Sequence, residues 1–284
     1  MMRLLKIVTV VALVAAVAVF AVSQAAALAE SDSTIPVISA ESETLEIPCA
    51  YTQEQLLAGV TASDAKDGDL TGQILVGDFS RFIDPGICDL TYVVFDSAEH
   101  MATLTRRVTF TDYHSPRFAL AQPLCFEAGA TNHTDVRAMF TASDLLDGDL
   151  TDWISYVETD ASYSQPGDYT ITMEVRNSFG DTVSHAFPIH VVEEGSQQID
   201  IVLQQGLVYV MQGERFSATS YVDSITDAAG HEYSVRQLET TGQVDTDTAG
   251  LYEVHYELLL EDEETGETRY GQNWLTVIVQ EGVA

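Results

Sequence analysis

The side chains with the types and spacing for chemistry are aspartates, written twice in one pattern. Residues 61–71 read TASDAKDGDLT and residues 141–151 read TASDLLDGDLT. Each loop carries aspartates at the first, fourth and sixth places: Asp64, Asp67 and Asp69, then Asp144, Asp147 and Asp149. Hard cations such as calcium take about six to eight oxygen ligands, and an aspartate-rich loop turning on a glycine supplies several. The same residues also build tight turns without metal. An aspartate accepts hydrogen bonds from amides two or three residues ahead, and Asp-Gly bends readily. A helix-loop-helix calcium site needs a glutamate at its twelfth position, where this chain has Leu75 or Ser155. A folding turn is the first expectation; a weak calcium site, millimolar as in extracellular modules, is the alternative.

Other chemistry is thinly represented. The histidines, at 100, 114, 133, 185, 190, 231 and 255, show no zinc-protease spacing. His185 and His190 are five apart, which puts them on opposite faces of a strand. Nucleophile-elbow, phosphate-loop and paired-cysteine zinc patterns are absent. Beyond Lys6 the one lysine is Lys66, which argues against lysine–asparagine cross-links. The sequence points to a non-enzyme. Of its three cysteines, Cys49 and Cys88 are placed for a disulfide, worth roughly 4 kcal/mol in the chain-entropy model. Cys125 is left as a buried free thiol.

The charge balance narrows the partners. Acidic residues number 44 against 12 basic ones, a net charge of −32. Such a surface repels nucleic-acid phosphates and anionic lipid, and attracts cations. At the N-terminus, Arg3 and Lys6 precede a run from Ile7 to Val22 that is apolar apart from Thr9, followed by Ala27-Leu28-Ala29. This is the order of a secretory signal peptide, and the run is also just long enough for a membrane anchor. Either way the remainder is expected outside the cell, secreted or anchored by residues 1–29, with export permitting a disulfide.

The elements that must position these residues repeat. PVISAESETLEI at Pro36 is answered by PRFALAQPLCFEA at Pro116. Each aspartate loop leads to a strand, PGICDLTYVVFDS and then PGDYTITMEVRNS, with a third version in AGLYEVHYELLLED. Cys88, Leu90, Tyr92 and Val94 alternate with polar or outward residues, as do Tyr169, Ile171, Met173 and Val175, and then Tyr252, Val254, Tyr256 and Leu258. A period of two predicts strands with one buried face. Units of about 80 residues made of such strands and turns predict antiparallel β-sandwiches.

In its proline start, GVTASDAKDGDLT loop, Gly-x-Tyr strand and closing FDSAEHMA and RRVTFTD, the chain resembles the bacterial immunoglobulin-like repeats of pesticidal crystal proteins, and more loosely hyalin-type repeats. Cys88 stands where the first copy's tyrosine belongs, and the third copy lacks the aspartate loop. The two clear copies cover a little over half the chain. The resemblance implies an all-β protein of three tandem immunoglobulin-like sandwiches behind a signal or anchor helix. The expected boundaries are a linker at 30–35 and domains at 36–113, 114–194 and, divergent, 198–281. It also implies spacer or adhesion repeats on exported and surface proteins, with no catalytic residues to carry over. The expected function is a spacer or adhesive stalk whose partner is a cell-surface protein or glycan. The alternatives are a lectin-like or protein-binding adhesin and an accessory subunit of an extracellular hydrolase. A binding surface is sought first in the third copy, at Tyr233, Tyr270 and Trp274.

Overall fold

A computed structural model describes residues 9, 12–23, 33–261 and 266–281. Residues 12–23 are helical. Most of the signal or anchor segment expected at 1–29 lies outside the described residues. Among those described, no helix is long and apolar enough to cross a membrane. The protein is all-β apart from short helical turns. It divides into two compact units: one holds residues of 1–47, 51–80 and 88–109, the other 48–50, 81–87 and 110–284.

The first unit is built on seven strands: β1 (Val37–Ala40), β2 (Thr44–Ile47), β3 (Val60–Asp64), β4 (Gly68–Asp69), β5 (Leu75–Phe79), β6 (Ile87–Phe95) and β7 (Met101–Phe110). They form one sheet in the order β1-β3-β4 and another in the order β2-β7-β6-β5. Along β6 the predicted alternation holds, with Cys88, Leu90, Tyr92 and Val94 fully buried. Tyr92 is tolerated there because its hydroxyl donates to the Leu56 carbonyl at 2.7 Å. Leu56 ends a short helix, Gln53–Leu56, opened by a reciprocal Thr52–Gln55 capping box.

The second unit repeats that plan and then varies it. Its strands are β8 (Arg117–Leu120), β9 (Cys125–Glu127), β10 (Phe140–Asp144), β11 (Gly148–Asp149), β12 (Ile154–Thr159), β13 (Gly167–Arg176) and β14 (Thr182–Val192). They form sheets β11-β10-β8 and β12-β13-β14-β9. Next come β15 (Ile199–Leu203), β16 (Leu207–Met211), β17 (Val222–Asp227), β18 (Glu239–Thr241), β19 (Gly250–Glu261) and β20 (Thr268–Gln280), in sheets β15-β17 and β16-β20-β19-β18. Residues 81–87 also belong to this unit, where Phe82 stacks on Phe179 with centroids 4.6 Å apart.

β20 is buried continuously from Leu275 to Val279. Leu275, Val277 and Val279 enter the core of the third sheet pair, while Ile278 enters the core of the second. β16 does the same: Val208 and Val210 point one way and Leu207 the other, into the cluster with Phe118, Phe140 and Phe187. A strand covered on both faces reads as a continuous apolar run because each face serves a different core. Hydrogen bonds tie the same place, from the Gly206 amide to the Leu120 carbonyl at 2.8 Å and from the Phe118 amide to the Tyr209 hydroxyl at 2.9 Å.

Candidate functional site

The two aspartate loops close as hydrogen-bonded turns of one design. Asp64 ends β3, and its Oδ1 accepts from the amides of Lys66 at 2.7 Å and Asp67 at 3.1 Å and from the Thr34 hydroxyl at 3.0 Å. Asp144 ends β10, and its Oδ1 accepts from Leu146 and Asp147 at 3.0 and 2.7 Å. Asp67 holds Ser97 with both oxygens, the amide at 2.7 Å and the hydroxyl at 2.9 Å. Asp147 holds Ser178 likewise, at 2.7 and 2.8 Å. Asp69 and Asp149 each accept the amide two residues on, Thr71 and Thr151, at 2.9 Å. The glycines are needed where they stand: Gly68 at φ +77° and Gly148 at φ +73° occupy the left-handed region.

These contacts set the electrostatics. Burial pushes the Asp64 carboxyl up, but the amides of Lys66 and Asp67 and the Thr34 hydroxyl outweigh it, leaving its pKa below the usual range. The hydroxyl and amide of Thr71 lower Asp69, and those of Thr151 lower Asp149. The copies differ at one atom. Asp144 Oδ2 accepts from Asn177 Nδ2 at 2.9 Å, whereas Asp64 Oδ2 is buried with no hydrogen-bond partner. Asp96 holds Asn177's place in the first copy; it accepts the amides of Ala98 and His100 and pairs with the His100 ring at 2.7 Å. Among the described residues, no three His, Cys, Asp or Glu side chains form a group that could hold a metal.

In the third sheet pair Asp227 ends β17 and does the same work with other partners. Its Oδ1 accepts the amides of Ala229 and His231, both at 3.0 Å. Its Oδ2 takes Arg269 at 2.6 Å and the Tyr233 hydroxyl at 2.8 Å. The His231 amide, then the Tyr233 hydroxyl and the His231 ring, hold Asp227 far below the usual carboxylate range.

Cys49, Cys88 and Cys125 are free thiols, the first two buried. Burial pushes Cys49 and Cys125 up to about 12 and Cys88 up to about 11. The three aromatics expected on a binding face are half-buried and already engaged. Tyr233 bonds Asp227 and lies under Arg269, and the Tyr270 hydroxyl donates to Gln272 Oε1 at 2.9 Å. Trp274 stacks on His190 with centroids 4.0 Å apart and rings 10° from parallel, and on His255 at 4.3 Å and 19°. Two rings at those separations have room only on opposite faces of the indole, so both faces of Trp274 are covered.

His190 is the residue that sequence reasoning passed over. It is 7% exposed, on β14. Its Nδ1 lies 2.8 Å from Asp168 Oδ1 and its Nε2 2.8 Å from Glu253 Oε1. Asp168 is 22 residues away in sequence and Glu253 is 63 away, so no local spacing announces the group.

No protein-family profile matches this chain. In sequence it is 25% identical over 249 residues to the pesticidal crystal protein Cry22Aa of Bacillus thuringiensis, covering 81% of this chain and 32% of that protein. It is 30% identical over 116 residues to an uncharacterized 81.3 kDa protein of Acholeplasma phage L2, covering 40% of this chain and 15% of that one. The chain thus spans a third or less of the length of these relatives. Among solved structures it is similar to CBM51-2, in complex with GlcNAc, and INT domains from Clostridium perfringens ZmpB. There the TM-score is 0.23 at 15% identity, covering 53% of this chain and 26% of that one. The protocadherin GammaB4 extracellular domain matches at TM-score 0.21 and 10% identity, covering 88% of this chain and 52% of that chain.

Proposed function

We propose that this chain is a non-enzymatic exported surface protein whose immunoglobulin-like sandwiches act as a spacer or adhesive stalk. One observation carries the reading: Leu207 and Ile278 of the third sheet pair are buried in the core of the second. Consecutive repeats sharing a core resist bending at their junction, which is what a spacer requires. Similarity to the pesticidal crystal protein Cry22Aa over most of the chain supports the resemblance on which the repeat reading rests. The aspartate loops serve this role as turns that close each sheet crossover, and the N-terminal segment as export signal or anchor. A lectin-like platform at Tyr233, Tyr270 and Trp274 is the less favoured reading, since Trp274 offers neither face to a sugar.

The test is rotational diffusion of the full chain by NMR relaxation. One correlation time for amides in residues 117–192 and 199–280 is expected. Two distinct times would mean a hinged pair and would remove the stiff-spacer reading.

A further inference from the structure

We propose that His190 is a pH-sensitive clasp between the second and third sheet pairs, bridging Asp168 and Glu253 through its two ring nitrogens while lying flat on Trp274. Asp168 and His190 belong to β13 and β14, and Glu253 and Trp274 to β19 and β20. A neutral imidazole has one N–H and one lone pair, whereas imidazolium donates from both nitrogens. With carboxylate oxygens 2.8 Å from each nitrogen, only the charged ring satisfies both contacts. Removing one proton leaves a lone pair facing a carboxylate at hydrogen-bond distance, and an attraction becomes a repulsion. The indole adds to the preference, because a cation over its face is attracted by the ring quadrupole.

The surroundings agree on sign. Glu193 and Gln272 line the same hollow, of about 380 Å³, with His190 and Trp274. Cys125, half-buried, lies across from His190 on β9, and its raised pKa keeps the thiol protonated and neutral. His255 sits on the far face of Trp274 with its Nε2 3.2 Å from Gln272 Oε1, a nearby group whose protonation would oppose that of His190. Burial pushes the His190 pKa down, but hydrogen bonding and charge from Glu253, then Asp168, outweigh it and raise the value overall. A histidine raised above its unfolded value stabilises fully below the unfolded pKa and loses that contribution as pH climbs through the folded one. The junction is therefore held in acid and loosened in mild alkali.

The experiment uses the full chain carrying Trp153→Phe, which leaves Trp274 as the sole indole, and His255→Gln, which removes the second imidazole stacked on it. Emission is followed from about pH 5 to pH 9, the range in which histidines titrate. Imidazolium quenches indole emission more than neutral imidazole does, so a single rise with pH is expected. Its midpoint should lie above that of free histidine. In that background His190→Gln should abolish the transition, and Glu253→Gln should move it to lower pH. Asp168→Asn should move it less than Glu253→Gln, because the Asp168 side chain is 87% exposed and the Glu253 side chain 28%. The thermal midpoint of the parent chain should fall across the same transition, and that of Glu253→Gln should fall less. A transition that survives in His190→Gln, or a midpoint unmoved by Glu253→Gln, would overturn the clasp. If His190→Gln does not fold, the two carboxylate variants still decide.

Discussion

Asp67 and Asp147 each hold a serine by amide and hydroxyl, so their carboxylates do structural work before any cation arrives. Charged acceptors at partly exposed sites contribute about 1 kcal/mol each. Asp67→Ala with Asp147→Ala is expected to melt lower whether calcium or chelator is present, as followed by calorimetry. A shift that appears with calcium in the parent and vanishes in the double variant would instead make the loops cation sites. The cysteines yield a second prediction. Burial pushes the Cys49 thiol up to about 12, so it carries little thiolate at mild alkaline pH. Native alkylation at mild alkaline pH should be slow compared with that of the denatured chain. After denaturation three labelled cysteines are expected from free thiols, and one if Cys49 and Cys88 are bridged in the exported protein.

At the scale of elements, two glycines allow backbones to meet where a side chain cannot fit. A Cβ on Gly271, in β20, would lie 2.1 Å from the Ile199 carbonyl oxygen, and one on Gly206 would lie 2.1 Å from that of Gln122. The obstacle is backbone in both cases, so relief requires a strand or loop to move. Gly271→Ala is expected to destabilise by about 1–3 kcal/mol, the range for overpacking, measured by denaturant unfolding. Gly68→Ala meets open space but sits at positive φ, so its loss should come from backbone strain alone and be smaller.

At the scale of the molecule, the second unit is expected to unfold as one cooperative body, because Leu207 and Ile278 of the third sheet pair are buried in the core of the second. Ile278 is 3% exposed and sits among Phe118, Phe140 and Phe187 although it lies on the last strand. Ile278→Ala is expected to cost about 2–5 kcal/mol and to loosen the second sheet pair along with the third. Hydrogen exchange would register this as faster exchange in β8 and β10 as well as in β20. Faster exchange confined to β19 and β20 would mean that the two pairs unfold separately.

The strands were legible because alternation is a local signal: Cys88 to Val94, Ile171 to Val175 and Val254 to Leu258 face inward as their period of two requires. The aspartate turns were legible for the same reason, since their acceptors and donors lie within a few residues. Their longer contacts, to Ser97 and Ser178, were not. The reading of Tyr233, Tyr270 and Trp274 as exposed aromatics missed their partners, because Arg269, His190 and His255 meet them only once strands pair and sheets stack. By itself the sequence determined the β class, the repeat and the turns, all set by hydrogen bonding and burial over short spans. Only the tertiary structure decided that Ile278 and Leu207 join another core, and that His190 stands between Asp168 and Glu253. Those contacts depend on how sheets pack, and packing brings together residues whose separation in sequence carries no signal.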